Sequence, residues 1–125
     1  MAKKKVLMID DEAGLTRMVK LNLEASGLFE VKIQNNPLEA VDTAKTFRPD
    51  LILLDVVMPE IDGSEVALRI RAEDDIKDIP IVFMTAAITT EELGASSGIL
   101  GGETFLAKPV DAKNLIQYVQ MKLGS

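Results

Sequence analysis

The chain has 125 residues and a formal net charge of −6, is 47% hydrophobic, and contains neither cysteine nor histidine. That length supports a single domain, residues 1–125, with one sizeable core and no separate effector module. The missing residue types exclude disulfides, thiolate nucleophiles, ordinary zinc sites, imidazole-based triads and a phosphohistidine on this chain, and the acidity disfavours nonspecific binding to nucleic acid or anionic lipid.

The first residues, Met1 to Lys5, are basic but lead into no long apolar stretch, and no run is long enough to span a bilayer. A cytoplasmic protein is expected. Lys5–Ile9 (KVLMI) is a short continuous apolar run of the kind buried on both faces of a parallel sheet. Leu15, Met18, Val19 and Leu23 then recur at helical spacing, and Gly27 is placed to end that helix. Phe29–Gln34 (FEVKIQ) alternates apolar and polar, which predicts a half-exposed edge strand. Asn36, Pro37 and Glu39 form a helix-start signature, with Leu38, Val41 and Ala44 as the expected buried face.

Leu51–Leu54 (LILL) and Ile81–Met84 (IVFM) are two further buried-strand runs. Between them Ser64 is positioned to cap a helix with Val66, Ala67 and Ile70 inward. Thr89 and Glu92 have capping-box spacing, but Gly94, Gly98, Gly101 and Gly102 are costly in a helix, so only a short, weakly held helix is expected there. Thr104–Ala107 (TFLA) is a fifth strand, and Asp111 can cap a last helix with Leu115, Val119 and Leu123 inward.

Strand and helix thus alternate five times, which predicts a doubly wound α/β fold with a five-stranded parallel sheet. Placing the alternating second strand at an edge favours the flavodoxin-like strand order 2-1-3-4-5. Ligands of such sheets bind beyond the carboxyl ends of the strands, where the strand order reverses. In this chain those ends carry Asp10, Asp11 and Glu12 after the first strand, Asp55 after the third, Thr85 after the fourth and Lys108 after the fifth. Clustered carboxylates repel one another unless a cation intervenes, and Mg²⁺ suits a site of few carboxylates, waters and a phosphate. Lys108 supplies a point charge and Thr85 a hydroxyl donor, so the set fits an anionic group held on or near Asp55. Each residue taken alone has a plainer reading: a helix-start acid, a loop start, a strand-end hydroxyl, a solvated lysine.

With these residues placed, the chain resembles the bacterial response-regulator receiver family over nearly its whole length, in single-domain, chemotaxis-regulator-like form. The resemblance rests on Asp10-Asp11 after an apolar strand and on Asp55-Val56-Val57-Met58-Pro59 followed by Asp62-Gly63. It rests equally on Thr85-Ala86 and Lys108-Pro109. It implies that Asp55 takes a phosphoryl group from a histidine kinase, a phosphotransfer protein or a small acyl phosphate. Asp10, Asp11, Asp55 and the Val57 carbonyl would then hold Mg²⁺, and Thr85 and Lys108 would bind phosphoryl oxygens. Phe105 takes the place of the family's switch aromatic, for which strand context alone indicates core packing. The resemblance further implies a downstream protein target reached through residues 89–97, the fifth strand and the last helix with Tyr118, no direct nucleic-acid or membrane binding, and a monomer or phosphorylation-dependent dimer.

Val57 and Ala87 stand two residues beyond Asp55 and Thr85, where receivers often carry polar side chains that influence hydrolysis. Neither can position a water, so slow self-dephosphorylation is expected. Two other classes of function compete. A receiver-like module that binds partners without phosphorylation would suit an incomplete acidic pocket, whereas this pocket is complete. A small-molecule enzyme is disfavoured: a dehalogenase-like phosphatase wants an acid where Val57 stands, and a flavodoxin wants a glycine-rich phosphate loop where Asp10-Asp11-Glu12 stands.

Overall fold

The computed structural model describes residues 3–86, 97–100, 103–108 and 112–123. Its elements are β1 (Lys4–Ile9), α1 (Ala13–Ala25), β2 (Phe29–Gln34), a 3₁₀ turn (Pro37–Glu39), α2 (Ala40–Phe47), β3 (Leu51–Asp55), α3 (Gly63–Arg71), β4 (Ile81–Thr85), β5 (Ser97–Leu100), β6 (Glu103–Ala107) and α4 (Ala112–Leu123). One sheet runs β2-β1-β3-β4-β6-β5. Five of its strands are parallel, in the winding that the pattern of runs predicts; β5 joins antiparallel to the outer side of β6, with Gly98 opposite Phe105.

The continuous apolar runs become central strands because both of their faces are covered. Val6 and Met8 of β1, Leu51 and Leu53 of β3, and Val82 and Met84 of β4 pack with Val19 and Leu23 of α1 and Leu115 and Val119 of α4. Their alternate neighbours, Leu7, Ile9, Ile52, Leu54 and Phe83, pack with Ala40 and Ala44 of α2 and Val66, Ala67 and Ile70 of α3. Strand period two therefore feeds two cores from one sheet.

The alternating strand β2 is at the edge, as its pattern predicts, with Phe29 and Val31 buried and Glu30 and Lys32 exposed. Its edge is blunted by α1. Lys20 donates to the Val31 carbonyl at 2.6 Å, and the Val31 amide donates to Glu24 at 3.0 Å. Backbone groups that would template another strand are thus occupied by side chains.

Local predictions hold in part. Gly27 has φ of 79° and its amide donates to the Glu24 carbonyl, so a glycine does end α1. Asn36 accepts from the Leu38 amide at 3.1 Å as predicted, but the first turn is 3₁₀, and its tighter winding turns Leu38 outward while Ala40 takes the buried place. Met18 is exposed, and Thr16 is buried instead. Helix α3 starts one residue before Ser64, with Asp62 in the cap position, and Val66, Ala67 and Ile70 point inward as expected.

The largest departure is at residues 97–100, where strand replaces the end of the expected glycine-rich helix. Pairing with β6 satisfies an edge that would otherwise be open, whereas Gly98 would weaken a helix. Thr89, Glu92, Gly94, Gly101, Gly102 and the Asp111 cap lie outside the described residues, as does Ala87.

Candidate functional site

The parallel strands deliver their carboxyl ends to one rim. Asp10 directly follows β1, Asp55 ends β3, Thr85 ends β4 and Lys108 directly follows β6. Asp10, Asp55 and Thr85 are buried, Asp11 and Glu12 are exposed. A carboxylate oxygen from each of Asp10, Asp11 and Asp55 lies within 4.8 Å of the others. The sequence-predicted acids are therefore brought together.

Lys108 is the ammonium at the centre of this rim. Its Nζ is 2.7 Å from Asp10 Oδ2, 3.3 Å from Glu12 Oε1 and 3.4 Å from Asp55 Oδ1. Its backbone amide donates to the Thr85 carbonyl at 2.8 Å, which ties the end of β6 to the end of β4. Asp10 is fixed from the other side by the Glu12 amide, donating to Oδ1 at 3.0 Å. Asn35, beyond the end of β2, donates to the Asp10 carbonyl at 2.7 Å and to the Thr16 hydroxyl at 3.0 Å.

The balance of charge is negative, since Asp10, Asp11, Glu12 and Asp55 surround one lysine. Burial pushes the Asp55 carboxyl above its ordinary range, the neighbouring Asp10 charge adds to the rise, and Lys108 opposes it without cancelling it. For Lys108, burial favours the neutral amine, but the hydrogen bond to Asp10 and the charges of Asp10 and Asp55 outweigh it and hold the ammonium above its ordinary value. The donors are all hard oxygen and lie within 4.8 Å of one another, compatible with the roughly 4 Å span across a small six-coordinate cation such as Mg²⁺. The residues present fit such an ion.

An open cleft of about 450 Å³ lies over Asp55, lined also by Glu12, Val57, Thr85, Ala86 and Lys108. Val57 is 64% exposed on its wall. The close approach of Gly63 shapes the loop after Asp55: its amide donates to the Val56 carbonyl at 2.8 Å, and a β-carbon there would lie 2.9 Å from Val56 Cα and overlap the Asp55 carbonyl. This glycine is required for space, and its backbone does not adopt the left-handed conformation.

Phe105 stacks on Phe83, with ring centroids 5.5 Å apart, and borders a cavity of about 110 Å³ with Val56, Ser64 and Glu103. Tyr118 packs with the opposite core, so the two aromatics expected on one signalling face belong to different sides of the sheet. Glu12 stood among the strand-end acids of the sequence with no role of its own, and Asn35 was absent from that set. Both stand just beyond the ends of adjacent strands, the rule that located the other residues, and Asn35 was overlooked because an amide carries no charge signal.

Residues 6–120 match the family described as response regulator receiver domain. The polar-differentiation response regulator DivK of Brucella anthropi is 33% identical over 122 residues, covering 97% of each chain. The chemotaxis protein CheY4 of Vibrio cholerae superposes with a TM-score of 0.80 at 30% identity, over 96% of this chain and 98% of that one. The receiver domain of a sensor histidine kinase from Pseudomonas aeruginosa PAO1, 27% identical, superposes with a TM-score of 0.78 over 99% of this chain and 100% of that one; its structure has a magnesium ion coordinated in the active site cleft.

Proposed function

This chain belongs to the family of response regulator receiver domains, phosphoacceptors of two-component signalling, and from that premise we propose that residues 1–125 act as one receiver whose acceptor is Asp55. The observation that supports this most is the clustering of the Asp10, Asp11 and Asp55 carboxylates at the carboxyl rim of a parallel sheet, with Asp10 and Asp55 paired to Lys108.

An Asp55 oxygen forms the new P–O bond as the P–N bond to a donor imidazole breaks, and the released electron pair stays on the imidazole nitrogen. With a small acyl phosphate the bond broken is P–O and the leaving group is a carboxylate. Asp10, Asp11, Asp55 and the Val57 carbonyl are the groups to hold Mg²⁺. When bound, the ion offsets the repulsion between an anionic nucleophile and an anionic phosphoryl group. Lys108 and Thr85 donate to phosphoryl oxygens at positions set by the ends of β6 and β4. The added group brings roughly −1.5 to −2 charges into a rim with one ammonium, so the rearrangement of Thr85 and Lys108 is the origin of the switch.

Phe105 is the aromatic that reports this rearrangement, from its place beside the small cavity against Phe83. Its output is contact with a downstream protein, without direct binding to nucleic acid or membrane, in the cytoplasm, as a monomer or a phosphorylation-dependent dimer. No helix among the described residues is long and apolar enough to cross a membrane. The chain catalyses only its own phosphoryl transfer and a slow loss of the group.

Intact mass after incubation with acetyl phosphate tests the acceptor. The expected result is a phosphoryl adduct that needs Mg²⁺, is lost in EDTA and is missing from Asp55→Asn. An adduct that persists in Asp55→Asn overturns the assignment.

A further inference from the structure

Lys108 has three N–H donors, and three carboxylates stand around them. A phosphoryl group on Asp55 adds oxygens that also require the ammonium, so at least one present partner must be given up. The three are not equal. Asp10 is buried, makes the shortest contact at 2.7 Å and is itself held by the Glu12 amide. Asp55 is the acceptor. The Glu12 carboxylate is 63% exposed, lies 3.3 Å away and has water to replace the lysine when the contact breaks. It also stands on the wall of the acceptor cleft and of an adjoining groove with Leu15, Met18 and Lys108. Releasing it costs least.

We propose that Glu12 is a positioning residue for Lys108, holding the ammonium on the β1 side of the rim in the unmodified protein and yielding it to the phosphoryl group as Asp55 reacts. The proposal rests on Asp55 being the phosphoacceptor. Glu12 touches neither phosphorus nor the attacking oxygen; it sets how readily Lys108 leaves its resting contact, and so how fast the acceptor is modified.

The test is the rate of adduct formation with acetyl phosphate and Mg²⁺ in wild-type protein, Glu12→Gln and Glu12→Asp. An exposed ion pair of this kind corresponds to a roughly twofold to fivefold acceleration in Glu12→Gln. Glu12→Asp keeps the charge but is one methylene shorter and loses the contact, so it is expected to match Glu12→Gln. If Glu12→Asp behaves like wild type while Glu12→Gln is faster, the effect is general repulsion of an anionic donor and the positioning role is overturned. Equal rates in all three overturn it too. No adduct on the wild-type protein instead overturns the phosphoacceptor reading, and this proposal with it.

Discussion

The amide of Gly63 donates to the carbonyl of Val56 at 2.8 Å, which seats the first residue of α3 directly against the main chain that carries Asp55. A β-carbon at residue 63 has no room beside that backbone. Gly63→Ala is therefore expected to cost about 1–3 kcal/mol by overpacking. It is also expected to slow phosphoryl uptake by displacing Asp55. Urea unfolding measures the first effect and adduct kinetics the second; unchanged values for both would mean the loop yields freely.

Replacing Lys108 by Met removes the cation from a cluster of acids two of whose members are buried. Breaking a buried pair leaves uncompensated charge, and with 12% of the lysine side chain exposed the expected loss is about 2–4 kcal/mol. The loss should be largest in EDTA and smaller in Mg²⁺, because the ion takes over part of the compensation. Thermal denaturation in the two buffers checks this.

Mg²⁺ alone, without any phosphodonor, is expected to raise the melting temperature. At a hundredfold excess over its dissociation constant the stabilisation is about 2.7 kcal/mol. Asp11→Asn removes one of the clustered oxygens' charge while leaving a side chain of the same size, and should abolish most of the shift. EDTA should reverse it in the wild type. A shift unchanged in Asp11→Asn would place the ion elsewhere.

The α1 side chains that cover the β2 edge make stability depend on pH. The Val31 amide, then Lys20, hold the Glu24 carboxyl below its ordinary value. A lowered folded-state pKa contributes stability that is present above the unfolded-state value and is lost as pH falls through the folded-state one. Glu24→Gln should therefore cost about 0.5–1 kcal/mol at neutral pH, solvent screening of the half-exposed pair included, and little in strong acid. Denaturant midpoints of the two proteins at pH 7 and in acid give the comparison.

Val57 presents an apolar side chain, 64% exposed, on the wall of the cleft over Asp55. It has no group to hold an attacking water, so the acyl phosphate should be long-lived, and Val57→Asn should shorten its lifetime. The decay of the phosphoryl adduct followed by intact mass decides the point.

The parallel sheet was legible because two-sided burial demands continuous apolar runs and an edge demands alternation. Leu51–Leu54 and Phe29–Gln34 are unlike each other for that reason alone. The acids and the lysine were legible because strand ends converge on one rim whatever the loops do. Antiparallel β5 was not, since a four-residue run with a glycine has no period that separates strand from short helix; pairing with β6 decided it.

What the amino-acid order determined by itself is therefore which strand residues face the core, how the five parallel strands wind and which chemical groups gather at the rim. These follow from periodicity and from solvent exclusion acting locally. Only the tertiary structure decided which carboxylate Lys108 grips most closely, that Asn35 braces the main chain of Asp10, and that Gly63 is required by close contact with the Asp55 and Val56 backbone. Each of these depends on distances between segments far apart in the chain, such as the 98 residues separating Asp10 from Lys108, and no local pattern encodes a distance of that kind.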